Sequence, residues 1–331
     1  MAKKATEPKI VAIGGGTGLS NMLRGLKNYT GKLTAIVTMA DDGGGSGTLR
    51  DELGMPPPGD VRNCLQALAN TEPVMEKLLA YRFKEGCLTG QSMGNLFLAA
   101  LNDISGSFYG AVQKLSEVLA ITGRVLPVTT EDVRLLVSFD DGTEIFGESK
   151  IRDHKKSGNR HISRVALLPD KPPALGESIE AIKGADLILL GPGSLYTSII
   201  PNLLTEGISE AISQSDALRV FVLNVTTEDG ETEGYTACDH VKALFEHSGS
   251  QLFDYCLANS TDLPKDVAER YAAYGACQTK VNEKELLSLG IKTISRPMLD
   301  CSEGYAHHDS DKLALEIMNL YRDKSPTKVY G

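Results

Sequence analysis

Two short apolar runs near the amino terminus end in turns made of glycine and acid. Residues 9–13 (KIVAI) lead into Gly14, Gly15, Gly16, Thr17 and Gly18, after which Leu19, Met22, Leu23 and Leu26 recur at helical spacing. A strand, a glycine turn and a helix in that order make a βα unit, which restricts the chain to an α/β fold. The spacing is not G-x-G-x-x-G, and no Lys follows the glycines as a P-loop would require. A second run, residues 33–39, ends at the adjacent carboxylates Asp41 and Asp42. A Rossmann unit places its ribose-binding acid at about that interval after the glycine turn.

Residues 37–63 (VTMADDGGGSGTLRDELGMPPPGDVRN) are too unusual in composition to be a simple connection. Gly43, Gly44, Gly45 and Gly47, with Ser46 among them, strip side chains from the backbone, so consecutive N–H groups are free to face a phosphate. Three prolines, Pro56 to Pro58, stiffen the approach to Gly59. Asp60 reads as the N-cap of a helix whose apolar positions Val61, Leu65 and Leu68 share one face. Arg62 and Asn63 occupy its first turn, where a helix N-terminus and a guanidinium both favour an anion.

The rest of the chain continues the alternation. Helical patterns cover 61–69, 74–83, a segment opening at Ser92 with Asn95 close behind, and 108–119. The period then changes to two over 133–139, followed by a hairpin signal at Asp140-Asp141-Gly142-Thr143 and a return strand over 144–149. Residues 150–163 are basic and polar and are expected to form a mobile loop. Strands are predicted at 164–168, 186–190, 219–223, 252–257 and 291–295, with helices at 176–183, 202–213, 238–246, 264–271 and 309–321. The later strands end at Gly191, Gly193 and Ser194, at Asn224, at Asn259 and at Arg296. The expected fold is a Rossmann-like, doubly wound, mainly parallel sheet. It forms a single unit over residues 1–331, with a small helical and antiparallel elaboration at roughly 70–165. Ligands of open α/β sheets bind beyond the carboxyl ends of the strands, where these residues gather.

Charge narrows the function. With 34 basic against 43 acidic residues the net charge is −9 and the pI about 5.3, which excludes a basic field for nucleic acid or for an anionic membrane surface. No apolar run has the length of a membrane span and no signal-peptide pattern opens the chain, so no membrane insertion and a cytoplasmic location are expected. Six cysteines without a C-x-x-C pair indicate neither a zinc site nor a disulfide framework. No Ser-His-Asp or Cys-His set can be assembled from the motif residues, which leaves phosphoryl or nucleotidyl transfer as the chemistry, if there is any. His240, His247, His307 and His308 read as packing or surface residues.

The segments IVAIGGGTGLS (10–20), ADDGGGSGTLRDELGMPPPGDVRN (40–63), SMGNL (92–96), ADLILLGPGSLYTSIIPNLL (185–204) and GETEGYTACDHVKAL (230–244) together resemble the YvcK, or gluconeogenesis-factor, branch of the CofD-like family. The resemblance covers nearly the whole chain. It implies a cytoplasmic protein that binds a UDP-sugar such as UDP-N-acetylglucosamine and links gluconeogenic growth to cell shape and cell-wall synthesis. The sister branch, 2-phospho-L-lactate transferase, implies the alternative of a phosphoryl or nucleotidyl transferase. A dinucleotide-dependent oxidoreductase is the third reading and lacks an identifiable acid or base. Gly45, Thr48 and His307 depart from the residues common in the branch, each altering one polar contact. On the leading reading, Gly14 to Leu19 and the 43–47 loop hold the nucleotide. Asp41 and Asp42 take ribose hydroxyls or a magnesium ion, Arg62, Asn63 and Ser194 take phosphates, and Asp60, Ser92, Asn95, Gly191, Gly193, Asn224 and Arg296 complete the site. No other cofactor is indicated. A homo-oligomer and an unidentified regulatory protein are the further partners to be tested.

Overall fold

A computed structural model describes residues 7–151, 160–302 and 304–324. Strands are β1 (Ile10–Gly14), β2 (Leu33–Val37), β3 (Arg124–Pro127), β4 (Arg134–Phe139), β5 (Glu144–Phe146), β6 (Ile162–Leu168), β7 (Leu187–Leu190), β8 (Leu218–Val222), β9 (Tyr255–Asn259), β10 (Lys292–Arg296), β11 (Leu299–Asp300) and β12 (His307–His308). Seven of them form a parallel sheet in the order β10-β9-β8-β7-β1-β2-β3. The chain runs from β1 outward through β2 to β3, then returns to the other side of β1 at β7. The strand order therefore reverses between β1 and β7, as the doubly wound reading expects, and that reversal opens a crevice at the carboxyl ends of these two strands. β1, β2 and β7 are buried along their whole length, which is why their sequences are continuous apolar runs instead of alternating ones. A three-stranded antiparallel sheet, β5-β4-β6, is the excursion that period-two residues 133–139 foreshadow. No helix among the described residues is long and apolar enough to cross a membrane.

Helices in the first half are α1 (Gly16–Leu26), α2 (Gly44–Leu53), α3 (Gly59–Leu68), α4 (Pro73–Ala80), α5 (Met93–Ser105) and α6 (Phe108–Val118). Several differ from the sequence expectation. The glycines at 44, 45 and 47 are not an open loop but the first turn of α2, because Leu49 and Arg50 bury themselves and pull the segment into helix. A side chain on Gly47 would start 2.9 Å from the Asp42 carbonyl carbon, so packing accounts for this glycine. Asp60 is not the N-cap of α3. Pro58 takes that position, and Asp60 falls in the first turn with its carboxylate turned back toward β1. Strand β3 went unread because RVLP is only four residues long and pairs on one side alone, with β2. The helix expected over 202–213 is broken into two short helices, Ile200–Leu203 and Ile208–Ser213, and a wide π turn (Leu195–Ile199) precedes them. A helix at Glu283–Ser288 was not anticipated, and β9 starts three residues later than expected. Of the segment 150–163, residues 152–159 lie outside the described residues.

Candidate functional site

The glycine turn after β1 and the glycine turn after β7 are pressed together at the switch point. A Cβ on Gly18 would lie 2.7 Å from the Pro192 carbonyl oxygen, and one on Gly193 would lie 3.1 Å from the Gly15 oxygen. Side chains there would force the two turns apart. Gly16 has φ +67°, which L side chains rarely adopt, and it starts α1 with no side-chain cap. Two asparagines hold this ridge. Asn224, just past β8, accepts from the Gly193 N–H (3.0 Å) and donates to the Gly193 oxygen (2.7 Å). Asn202, fully buried, donates to the Gly14 oxygen (3.0 Å) and to the Ser198 oxygen (2.7 Å). The first N–H groups of a helix have no acceptor within it, and the residues of this first turn, Gly16, Thr17 and Gly18, line the cleft.

Carboxylates form the floor. Asp41 accepts hydrogen bonds from the Gly43 N–H (2.8 Å) and the Ser46 hydroxyl, so the start of α2 orients it. Asp60 accepts from the Gly16 N–H. Glu148, carried by the turn after β5, projects over the same cleft. Burial raises the Asp41 carboxyl, with Asp42 adding to the shift. It pushes Asp60 up to about 7, reinforced by the Asp41 charge, and Glu148 up to about 8, reinforced by Asp41 and Asp60. Arg50 and Arg62 act in the opposite direction on Asp41 and Asp60 and are outweighed. Further along, Ser194 donates to Glu228 (2.7 Å). The deeper Glu231 accepts from the Tyr196 N–H (3.3 Å) and the Thr197 hydroxyl (3.2 Å), and is held well above the usual range by burial and by Glu228.

The cleft between floor and ridge has a volume of about 500 Å³. Its outer wall is aromatic and polar: Tyr271, Tyr274, Tyr305, His307 and His308, with Arg270 the one guanidinium or ammonium among the described lining residues. Arg270 is itself anchored to the Gly304 oxygen (2.7 Å), and Tyr271 accepts from the Ala306 N–H (3.0 Å). His308 is buried with its Nε2 unpartnered, and burial together with His307 pushes it down to about 4, so it is a neutral imidazole.

Of the residues chosen from sequence, Gly15, Gly16, Thr17, Gly18, Asp41, Asp60, Gly193, Ser194 and Asn224 line the cleft. Gly14 and Gly191 do not line it but pack on each other, a Cβ on Gly14 lying 3.8 Å from the Gly191 Cα, and Leu19 is fully buried in the core. Asp42 faces away, accepting from the Ser149 N–H (2.8 Å), and so splits from its neighbour. Gly43 and Gly44 sit at the N-terminus of α2, and Ser46 supports Asp41 from below. Arg62 donates to Gln66 (3.1 Å) along its own helix and packs beneath Gly94, while Asn63, on the same helix, does not line the cleft. Ser92 caps α5 by accepting from the Asn95 N–H (3.2 Å), and Asn95 is buried beside it. Arg296 pairs with Glu316 (3.1 Å) at the surface. Sequence reasoning missed Glu148, Glu228, Arg270 and the 305–308 wall. The dense acids of EDGETEG (228–234), directly after a strand end, were the one available signal.

A family model described as 2-phospho-L-lactate transferase CofD matches residues 10–299. Similar curated proteins include the "Putative gluconeogenesis factor" of Thermoanaerobacterium thermosulfurigenes, 52% identical over 313 residues, covering 95% of this chain and 97% of that protein. The "Gluconeogenesis factor" of Bacillus subtilis is 45% identical over 318 residues, covering 96% and 99%. Among solved structures, a UPF0052 family member from Bacillus halodurans superposes with a TM-score of 0.89 at 44% identity, over 93% of this chain and 99% of that one.

Proposed function

The chain belongs to the CofD family, and from that premise we propose that it is a gluconeogenesis-factor-type regulatory protein whose switch-point cleft binds a nucleotide-sugar of the UDP-N-acetylglucosamine kind. The observation that carries this reading is the pairing of the two glycine turns above an acidic floor, in a cleft whose size is within the usual range for a cofactor-sized ligand. The N-terminus of α1 offers N–H groups and a favourable dipole to a diphosphate. The aromatic outer wall offers flat surfaces to a base or sugar ring, and the carboxylates are acceptors for hydroxyl groups.

A diphosphate next to Asp41, Asp60 and Glu148 needs its charge offset. Among the described residues no three His, Cys, Asp or Glu side chains are grouped to hold a metal ion by themselves. Asp41 and Asp60 nevertheless fit a magnesium ion shared with ligand phosphates, since magnesium is commonly held by one or two carboxylates plus phosphate oxygens. Burial is what chiefly raises their proton affinity, with a neighbouring carboxylate adding to it, and a cation would offset that added negative charge. Bound there, the ion would neutralise phosphate charge. Asp42, which faces Ser149, is not part of that set. The same floor favours a second reading, a transferase of phosphorus-containing groups, because such reactions depend on positioning and charge neutralisation with no protein nucleophile.

Native mass spectrometry of freshly purified protein, followed by thermal shift with UDP-N-acetylglucosamine in magnesium and in chelator, tests the proposal. A co-purified UDP-sugar, or a melting-temperature rise that is larger with magnesium, is expected. Chelator-sensitive release of UDP or UMP on long incubation would move the assignment to the transferase, and no shift with any nucleotide-sugar would sink both.

A further inference from the structure

At the edge of the sheet opposite the switch-point cleft, three basic side chains converge on a second cavity of about 430 Å³. They stand at the amino ends of three neighbouring strands: Lys9 directly before β1, Lys32 directly before β2, and Arg124 at the start of β3. The register puts them on one face. Ile10 pairs with Leu33, so Lys9 and Lys32 lie side by side one step earlier, and Arg124 pairs with Thr34, which shares the face of Lys32 because residues two apart on a strand point the same way. Arg124 Nε donates to the Thr34 hydroxyl (3.0 Å), which holds the guanidinium there. Among the described residues, no carboxylate forms an ion pair with either lysine ammonium or with this guanidinium. Glu180 is the one acid in the described lining, and it pairs instead with Lys183 (3.7 Å).

We propose that this cavity is a second ligand site, for a compact polyanion whose charge is on phosphate or carboxylate groups. Like charges side by side on neighbouring strands cost stability, and an anion between Lys9, Lys32 and Arg124 offsets that cost. Charge also selects the size of the occupant. Three bases against one acid leave the lining at +2 in a chain of net −9, so the remainder carries −11. Concave walls concentrate the local positive field, whereas the surroundings repel an extended polyanion such as a nucleic acid. The volume is within the range of small-molecule sites. Val11 is buried beneath the cations, and the opposite wall has little bulk, being made of Ala181 on the helix Gly176–Lys183 and Gly184 just after it. The Arg124 fork suits a carboxylate or a phosphate, and the lysines supply point charges to either. Strand β1 is five residues long, about 16 Å at about 3.3 Å per residue, so a compact molecule here does not touch the glycine turn at its other end. The site therefore stands independently of what the switch-point cleft binds.

Calorimetry with inorganic pyrophosphate and with citrate, on the full chain in a chloride buffer, tests this. At least one of the two is expected to bind below millimolar concentration, and more weakly as salt is raised. Lys9→Gln combined with Lys32→Gln should weaken that binding by about tenfold or more, since two charge-assisted contacts are lost. Arg270→Gln, which removes the cation of the switch-point cleft, should leave it unchanged. Both lysines are exposed, so the double variant should fold, and without added anion its melting temperature should be no lower than that of the wild type, because the repulsion is gone. The tighter of the two probes assigns the site to phosphate or to carboxylate ligands. No binding of either probe at millimolar concentration overturns the proposal. Binding that Arg270→Gln weakens as much as the double substitution does overturns it in favour of the cleft. A double variant that melts below the wild type without anion overturns it by making the two lysines structural.

Discussion

The Gly16 N–H donates to the Asp60 carboxylate, which ties the first glycine turn to α3. Gly15 is in extended backbone, and a side chain there would start 2.8 Å from the Thr38 methyl group as well as against Asp60. Gly15→Ala should therefore cost about 1–3 kcal/mol, the range for overpacking a filled site. Denaturant unfolding measures it. The substitution should also remove the nucleotide-sugar thermal shift, and an alanine variant with wild-type stability would show that the turn and Asp60 are not in contact.

Asp60 and Glu148 make the empty protein sensitive to pH near neutrality. Both hold their protons in the folded state up to about 7 and about 8, whereas their ordinary values are 3.8 and 4.5. The folded chain then binds more protons than the unfolded chain in that window, so stability is full at low pH and falls as pH rises through the folded values. The buried histidines have the opposite sign, but their contribution is complete above their unfolded pKa of about 6.5. Between about pH 6.5 and 8.5 the melting temperature should drop, and Asp60→Asn should flatten the decline. A melting temperature that rises over this interval would contradict the shifts.

Arg62 is a structural arginine. Its guanidinium donates to Gln66, and its side-chain methylenes lie under Gly94. Arg62→Ala should lower stability by about 1–2 kcal/mol through lost packing and a lost hydrogen bond. Nucleotide-sugar affinity by calorimetry should stay within a few-fold. A loss beyond tenfold would place Arg62 on the ligand.

Asp42 acts at a distance from the cleft. Its Oδ1 holds the Ser149 N–H, and Gly147 in the same turn has φ +94° and no room for a side chain, since a Cβ there would run into the Asp42 carboxylate. This turn carries Glu148 over the floor. Asp42→Ala should weaken ligand binding as much as Glu148→Gln does, and the two together should weaken it little further, because residues acting as a unit are not additive. Full additivity in calorimetry would separate them.

Much of the architecture could be read from sequence because it is set by local periodicity. The runs IVAIG and LTAIV, buried on both faces, leave no polar alternation, and each is followed by turn residues and a helical repeat, so strands, helices and their alternation follow. A doubly wound, mainly parallel sheet is the fold such an alternation predicts, and in that fold ligands bind beyond the carboxyl ends of the strands. The glycines at 15, 16, 18 and 193, with Asp41, Asp60, Ser194 and Asn224, could be chosen on that basis, and they meet in one cleft.

What the sequence left open depends on contacts between distant segments. Asp41 and Asp42 are neighbours in the chain with identical chemistry, and only tertiary packing sends one to the floor and the other to Ser149, 107 residues away. The same holds for the glycines of residues 43–47, whose open-loop appearance gives way to helix once Leu49 and Arg50 find burial sites. Arg62 looked like an anion ligand because helix N-termini attract anions, yet the direction of its side chain is decided by Gly94, which lies beyond the intervening helix α4. Glu148 and the 305–308 wall carry no local signal, because a side chain that enters a cleft from an antiparallel excursion or a carboxyl-terminal turn is placed by the packing of whole layers. Periodicity and turn chemistry act over a few residues and are written in the chain. Which of two equivalent side chains reaches the cleft is a long-range steric outcome, fixed only when the sheet, the helices and the small second sheet have closed on one another.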